Sequence, residues 1–194
     1  MDVRYMAGDL DKTTKADLAR RLTDVLIRME GGANTHGGRA FASVLFSELP
    51  QGDWWVGGVA DNSFVTAPGR FLVHVTIPEG YMNADHKREV HAWVNEAILA
   101  ATHANGATGS STLTVINEVA EGNWGSAGHA ISLEGIADSV GMSKTGERFA
   151  WVRSYFAAKA RMLAAFNYPS DLGGLLPSQL PMDQPTSKDA HAAL

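Results

Sequence analysis

Apolar positions in the first 142 residues switch between a two-residue and a helical period, and the switch occurs twice. Val3 and Tyr5 alternate with Arg4 and Met6, the pattern of a short strand over 2–7. Leu18, Leu22, Val25, Leu26 and Met29 then form one stripe, which predicts a helix from Thr14 to Glu30. Thr14 with Asp17 reads as its N-terminal capping pattern, and Gly31-Gly32 as its stop. Residues 41–48 are rich in Phe, Val and Leu and predict a buried strand. The order then starts again. Arg70 to Ile77 alternates more strongly than the first segment, and Asn83 is a good N-cap. Val90, Val94, Ala97, Ile98 and Ala101 renew the helical stripe, and residues 112–118 predict a fourth strand.

The turn chemistry repeats with the pattern. Gly8 opens the first helical region as Gly80 opens the second, 72 residues later. Ser43 to Leu49 leads to Gly52-Asp53-Trp54-Trp55-Val56-Gly57-Gly58, and Leu113 to Val119 leads to Gly122-Asn123-Trp124-Gly125-Ser126-Ala127-Gly128. Glu48 and Glu118, like Trp54 and Trp124, are 70 residues apart. These are two copies of one β-α-β unit, the first over 1–66 and the second over 67–142. A helix crossing between two strands makes them parallel. Two such units side by side predict an α+β fold, a four-stranded sheet with both helices on one face. The other face would carry Val44, Phe46, Val73, Val75, Thr114 and Ile116, or their neighbours one register over. Left bare, it is expected to meet further copies of the chain.

Residues 143–194 belong to neither unit and predict a C-terminal helix and an extended arm. Phe149, Val152, Phe156 and Leu163 have helical spacing, with Trp151, Tyr155 and Met162 beside them. Pro169, Pro177, Pro181 and Pro185 then break any further helix. A helix this apolar is expected to dock, and a neighbouring subunit is the expected partner.

Composition narrows the chemistry. The 194-residue chain is 45% hydrophobic and 19% charged, as a globular protein is. Its net charge of −5, with no basic stripe, argues against nucleic acid. No apolar run reaches the roughly 18–20 residues that span a bilayer, and no secretion-signal pattern opens the sequence, so the expectation is cytoplasmic. The absence of cysteine excludes disulfides, thiolate metal sites and cysteine nucleophiles. His86 and His91 are poorly spaced for one metal, and the glycine pairs lack a phosphate-loop context. No metal and no cofactor are expected.

The run Phe46-Ser47-Glu48-Leu49-Pro50-Gln51-Gly52-Asp53-Trp54-Trp55-Val56-Gly57-Gly58 resembles the signature after the second strand of the tautomerase superfamily. That superfamily includes 4-oxalocrotonate tautomerase, macrophage migration inhibitory factor, malonate semialdehyde decarboxylase and cis-3-chloroacrylic acid dehalogenase. Ile77-Pro78-Glu79-Gly80 is similar to the family's first strand end. Two units in one chain resemble its longer, cis-dehalogenase-like branch, over roughly residues 2–140. The resemblance implies a homotrimer that covers the bare sheet face, and an isomerase acting on a small carbonyl or enol substrate.

The family's general base is an amino-terminal proline, whereas this sequence begins Met1-Asp2-Val3. Two explanations stay open: a proline encoded upstream, or a member that works with the primary α-amine of Met1. Such an amine titrates near 7.7–8 when unperturbed. Other family positions differ too. The dehalogenase branch's helix histidine corresponds to Leu26, and its two arginines flanking Glu-Gly correspond to Pro78 and Tyr81. The tautomerase branch's arginine, five residues before the signature glutamate, corresponds to Ser43. A carboxylate held by a guanidinium fork is therefore unsupported, and a more apolar substrate is expected. The alternative is a non-catalytic trimer that binds or scaffolds.

The candidate catalytic groups are the Met1 α-amine and Tyr5 as general acid. Trp54 and Trp124, at the family's aromatic position, are candidates for substrate binding with Arg39, His74 and Tyr81. Each also has a plainer reading as packing or solvated surface. Glu48 and Glu118 recur symmetrically, which favours a structural role, since catalysis rarely needs both copies.

Overall fold

The first unit forms β1 (Asp2–Met6), α1 (Lys12–Met29), a short α2 (His36–Phe41) and β2 (Leu45–Leu49). The second forms β3 (Phe71–Pro78), α3 (Ala84–Ala101), β4 (Thr112–Val119) and a small hairpin of β5 (Gly125–Ser126) and β6 (His129–Ala130). Two helices follow, α4 (Leu133–Val140) and α5 (Glu147–Ala165), then a 3-10 turn at Pro177–Gln179. The computed structural model describes residues 1–29, 34–169 and 173–180. Strand order is β2-β1-β3-β4. Each unit contributes a parallel pair, and β1 runs antiparallel to β3 at the seam. This is the α+β, four-stranded arrangement that the repeat predicts.

The core lies between the sheet and the two long helices. Val3 faces Val73 and Tyr5 faces Phe71 across the seam, all buried against Leu18 and Leu22 of α1 and Val94 and Ile98 of α3. Of the two registers the sequence leaves open for the bare face, the second is the one formed. Phe46, Val73, Val75 and Ile116 pack into the core, while Leu45, Leu72, His74, Leu113 and Val115 turn the other way. Leu45 remains 64% exposed and Leu113 56%. The face is not purely apolar: Ser47 donates to Asp2 (3.2 Å), Arg4 pairs with Asp2 (3.4 Å), and His74 bonds Asn117 (3.1 Å).

Local signals differ from expectation at several ends. Helix α1 starts before Thr14, and the cap is Asp11, whose Oδ1 accepts from the Thr14 N–H at 2.7 Å. The Gly31-Gly32 stop lies outside the described residues. Asn83 caps α3 as expected, accepting from His86 N–H (2.9 Å) while the His86 ring accepts from the Asn83 N–H. The predicted 41–48 strand begins only at Leu45, because Phe41 closes α2.

One ion pair occurs in both units. Lys15 meets Glu48 at 3.1 Å and Lys87 meets Glu118 at 2.8 Å, each tying the first turn of a crossover helix to the strand that follows it. The paired glutamates are therefore structural. Surface pairs of this kind contribute little to stability, but they fix the same helix-to-strand alignment twice.

The C-terminal helix corrects one expectation. Phe149, Val152 and Phe156 of α5, and Leu176 beyond it, are buried within their own protomer, the last three in the main core. This face of α5 packs inside the protomer, whereas Trp151 and Met162 of the same helix remain 37% and 52% exposed. Tyr155 donates to Glu79 (2.7 Å), and Lys159 grips both oxygens of Glu79 at 2.7 Å. Leu172, Met182 and residues 185–194 of the expected arm lie outside the described residues.

The repeat supplies a controlled test of this docking. Gly8 (φ +92°) and Gly80 (φ +71°) occupy equivalent left-handed turns. A Cβ at Gly8 meets nothing within 4 Å, whereas one at Gly80 runs into the Tyr155 ring. Gly8→Ala should cost only the left-handed penalty of roughly 1–2 kcal/mol. Gly80→Ala should cost about 1–3 kcal/mol more through overpacking against α5. Urea unfolding of both variants measures the difference, and equal losses would show that α5 does not press on this turn.

Candidate active site

Antiparallel pairing at the seam sets the start of β1 beside the end of β3. There, Met1, Thr76, Ile77 and Pro78 border a cavity of about 160 Å³. Leu26 and Met29 of α1 close one side, with Phe41 and Ser43 from the stretch before β2. Tyr81 and Trp124 come from the second unit. An apolar cavity of roughly 150 Å³ is enough to hold a molecule the size of benzene.

The roof is α4, an element the repeat does not predict. Leu133, Ile136 and Val140 project from it over the cavity, with Met142 just beyond. Their helical spacing, with Ser132 as N-cap and Gly141 (φ +72°) as C-cap, was the signal available in the sequence. Three contacts hold the roof down. Thr35 donates to the Val140 carbonyl (2.9 Å), and α2 comes so close at Gly37 that a Cβ there would strike the Ser139 carbonyl. Glu121, only 6% exposed, receives the Leu133 N–H between its two oxygens at 3.0 and 3.1 Å.

The Met1 amine is the basic group in the cavity wall. It donates to the Ser43 carbonyl at 2.6 Å, and Leu45 N–H returns a bond to the Met1 carbonyl (2.9 Å), so the chain end is anchored beside β2. Burial pushes its pKa below the ordinary value, because the ammonium loses hydration in apolar surroundings; the Asp2 charge offsets part of this. Tyr81 is buried, its hydroxyl 3.8 Å from the Met142 sulfur and its ring 5.4 Å from the Arg148 guanidinium. The Trp124 indole N–H is buried and has no hydrogen-bond partner among the described residues.

The candidates from the sequence thus separate into two groups. Met1, Tyr81 and Trp124 line one cavity; Tyr5, Trp54, Arg39 and His74 do not. Tyr5 points into the core and donates to Glu48 (2.7 Å), with burial raising its pKa, so it has no path to this cavity as a general acid. Trp54 follows β2 as Trp124 follows β4, which puts it in the other unit's turn. Arg39 is committed to Asn34 (2.8 Å) and Asp24 (3.7 Å) on the outside of α2. His74 lies on the open sheet face beside Asn117. Residues missed in the sequence are the apolar walls: Met29, Phe41, Thr76 and the roof. Among the described residues, no three His, Asp or Glu side chains gather as metal ligands, and no helix is long and apolar enough to cross a membrane.

Solved structures share this architecture. A fused 4-OT, seen as a wild-type symmetric trimer, matches 69% of this chain and 95% of its own, with 21% identity and a TM-score of 0.54. N1, a member of the cis-3-chloroacrylic acid dehalogenase family, matches 85% of this chain and 95% of its own, with 18% identity and a TM-score of 0.53. Pt0534, inactivated by 2-oxo-3-pentynoate, matches with 20% identity and a TM-score of 0.54 over 69% of this chain and 95% of its own. The fold is that of the tautomerase superfamily. No protein-family model matches the sequence, and no curated protein does either. Within the tautomerase fold, the four positions where the resemblance anticipates histidine or arginine are Leu26, Ser43, Pro78 and Tyr81. All four converge on the one cavity.

The roof latch titrates in a definite direction. Burial raises the Glu121 carboxyl above its ordinary 4.5, with Glu134 and Glu79 adding to the rise, although the Leu133 N–H and Lys159 oppose it. The folded state therefore holds this proton more tightly than the unfolded chain. Its stabilising contribution is complete below about pH 4.5 and is lost as pH rises through the raised value. Glu121→Gln keeps an acceptor for Leu133 and removes the titration. Wild type should lose stability relative to Glu121→Gln as pH rises from about 4 to about 8, read as diverging melting temperatures. A constant difference would mean that Glu121 is not held as a desolvated carboxyl.

Proposed function

We propose that this chain is an enzyme of the tautomerase type, moving a proton next to the carbonyl of a small, largely apolar substrate. The observation that carries the reading is the Met1 amine in the wall of the apolar cavity, its pKa lowered by desolvation. A base must be neutral at the working pH, and burial shifts the amine towards that form without a neighbouring cation. The substrate class follows from the walls. Where the resemblance anticipates cationic side chains to grip a carboxylate, Leu26, Ser43, Pro78 and Tyr81 offer none, so a keto-acid would bury its charge unpaired. Ketonisation of an enol, or a related hydration or decarboxylation, is the chemistry this supports.

The steps run as follows. The neutral Met1 amine takes the proton from the enol hydroxyl or from the carbon beside the carbonyl, and returns it to the alternative position. Negative charge collects meanwhile on the substrate oxygen. The unpartnered Trp124 N–H is the donor to that oxygen, while Tyr81 completes the wall. Three protomers closed around their open sheet faces form the working assembly, covering Leu45, Leu113 and Val115. A second reading is a non-catalytic binding or scaffold trimer. It draws support from the same absence of cationic residues in the wall.

Neutral enols of the phenylpyruvaldehyde type should react faster than the carboxylates phenylenolpyruvate and 2-hydroxymuconate, whose charge the wall leaves unpaired. Activity should rise with pH to a plateau, with a midpoint below 8.0, the ordinary value for a terminal amine. Asp2→Asn removes the charge that favours the ammonium, so the midpoint should move lower still. Trp124→Phe keeps the ring and loses the donor; kcat should fall about ten- to a hundredfold with KM nearly unchanged. Mass spectrometry of the first residue accompanies the assay. Activity that survives selective acylation of the α-amine would remove Met1 from the mechanism. Light scattering tests the trimer, and a species of 20.7 kDa would exclude it.

A further inference from the structure

The internal repeat gives the fold a second corner, where the end of β1 meets the start of β3. It too contains a cavity, of about 290 Å³, and its chemistry is the reverse of the first. The correspondence follows the 72-residue offset. Pro78 and Tyr81 line the first cavity, and their counterparts Met6 and Asp9 line the second. Here the walls are polar. Asp9, Gln51, Asn62 and Thr66 surround the opening, and Arg70 forms its floor.

Arg70 is the unusual member. It is 5% exposed, one of two charged or polar residues buried to this degree among the described residues. A buried cation is costly unless a counter-charge satisfies it. Yet among the described residues no carboxylate lies within 4 Å of this guanidinium. Its Nη2 donates to two backbone carbonyls, Ala60 (2.9 Å) and Asp61, and its Nε is buried with no partner among the described residues. Asp9 faces the same space without reaching Arg70. Its carboxylate sits against Gly69, where a Cβ would come within 3.2 Å of Oδ2. Burial raises the Asp9 pKa against the pull of the Arg70 charge, which also reaches the Asp61 carboxyl, but neither carboxylate closes on the guanidinium as an ion pair.

The remaining wall is held in place for a ligand. Gln51 donates to the Ala7 carbonyl (2.9 Å), and Thr66 is fixed by Ser110 (2.7 Å) and by Ser111, whose hydroxyl accepts the Thr66 N–H at 2.8 Å. The site therefore presents a cation and an anion separated across a preformed polar cavity. A simple anion would satisfy Arg70 and be repelled by Asp9; a simple cation would do the opposite. We propose that this second corner binds a small zwitterion, an ammonium carboxylate of amino-acid size, with its carboxylate on Arg70 and its ammonium on Asp9. Nothing in this depends on catalysis at the first corner.

The experiment uses the full chain, isotope-labelled, with the Gly69 and Arg70 backbone amides observed by NMR. Glycine, β-alanine and 4-aminobutyrate are the probes, since their charge separations differ; acetate and ethylammonium are the single-charge controls. At least one amino acid should shift these amides saturably at millimolar concentration. Acetate and ethylammonium should bind about tenfold more weakly or worse, as should the amino acid to Asp9→Asn. Arg70→Gln should abolish the response; should that variant not fold, Asp9→Asn decides. Acetate binding as tightly as the amino acids, affinity unchanged in Asp9→Asn, or no saturable shift with any probe would each overturn the proposal. Ketonisation activity is not part of the readout, so the two corners succeed or fail separately.

Discussion

Everything distinctive about this molecule depends on the antiparallel pairing of β1 with β3. Parallel pairs within each unit are fixed by the crossover helices, but the seam between units has no such connection to enforce it. It is held by side chains: Val3 against Val73 and Tyr5 against Phe71, all fully buried beneath α1 and α3. A one-residue slip of β1 would carry Val3 and Tyr5 to the open face and bring Arg4 into the core, so the register is strongly specified. The pairing relates the units by a local two-fold, and the two-fold creates two equivalent corners. One lies at the start of β1 and the other at the start of β3.

The two units agree where alignment matters and diverge where chemistry does. Lys15–Glu48 and Lys87–Glu118 are the same contact in both, as are the left-handed glycine turns at Gly8 and Gly80. The divergence comes from what was added. After β4 the chain supplies α4 and α5, which roof the first corner and brace Glu79 through Tyr155 and Lys159. After β2 it supplies only the loop to Arg70, so the second corner stays polar and open to solvent. The repeat provides two corners related by one two-fold, and unequal additions give them opposite environments.

The sequence disclosed what repeats and concealed what does not. Strand and helix positions were readable because each was stated twice, and agreement between copies compensates for weak signals such as the five-residue β1. The bare face could be foreseen but not its register, since the stretches flanking Phe46 and Ile116 are apolar at adjacent positions and either parity satisfies the pattern. The roof was harder. Leu133, Ile136 and Val140 have helical spacing, but eight residues are too few for periodicity to stand out, and no counterpart in the first unit reinforced it. Site residues divided along the same line. Met1, Tyr81 and Trp124 lie at one corner because two belong to the second unit and one begins the first. Tyr5 and Trp54 were chosen from the first unit's own elements, which serve the core and the opposite corner. The burial of Arg70 has no signal in the sequence, because nothing in its neighbourhood shows that the 60–61 backbone will wrap its guanidinium.

Electrostatics links the first corner's buried amine to its lack of the cationic residues that the resemblance anticipates. A cationic base in an apolar cavity would need an anion beside it, and a carboxylate substrate would need a cation; together they form a charged system that demands polar walls. Removing the arginines alone would leave the substrate charge unpaired, and removing the low pKa alone would leave an ammonium buried without a partner. Changing all four positions to Leu26, Ser43, Pro78 and Tyr81, while desolvation holds the Met1 amine towards its neutral form, avoids both costs at once. The four changes are consistent with one another in charge, and the apolar roof above them is latched by a buried glutamate.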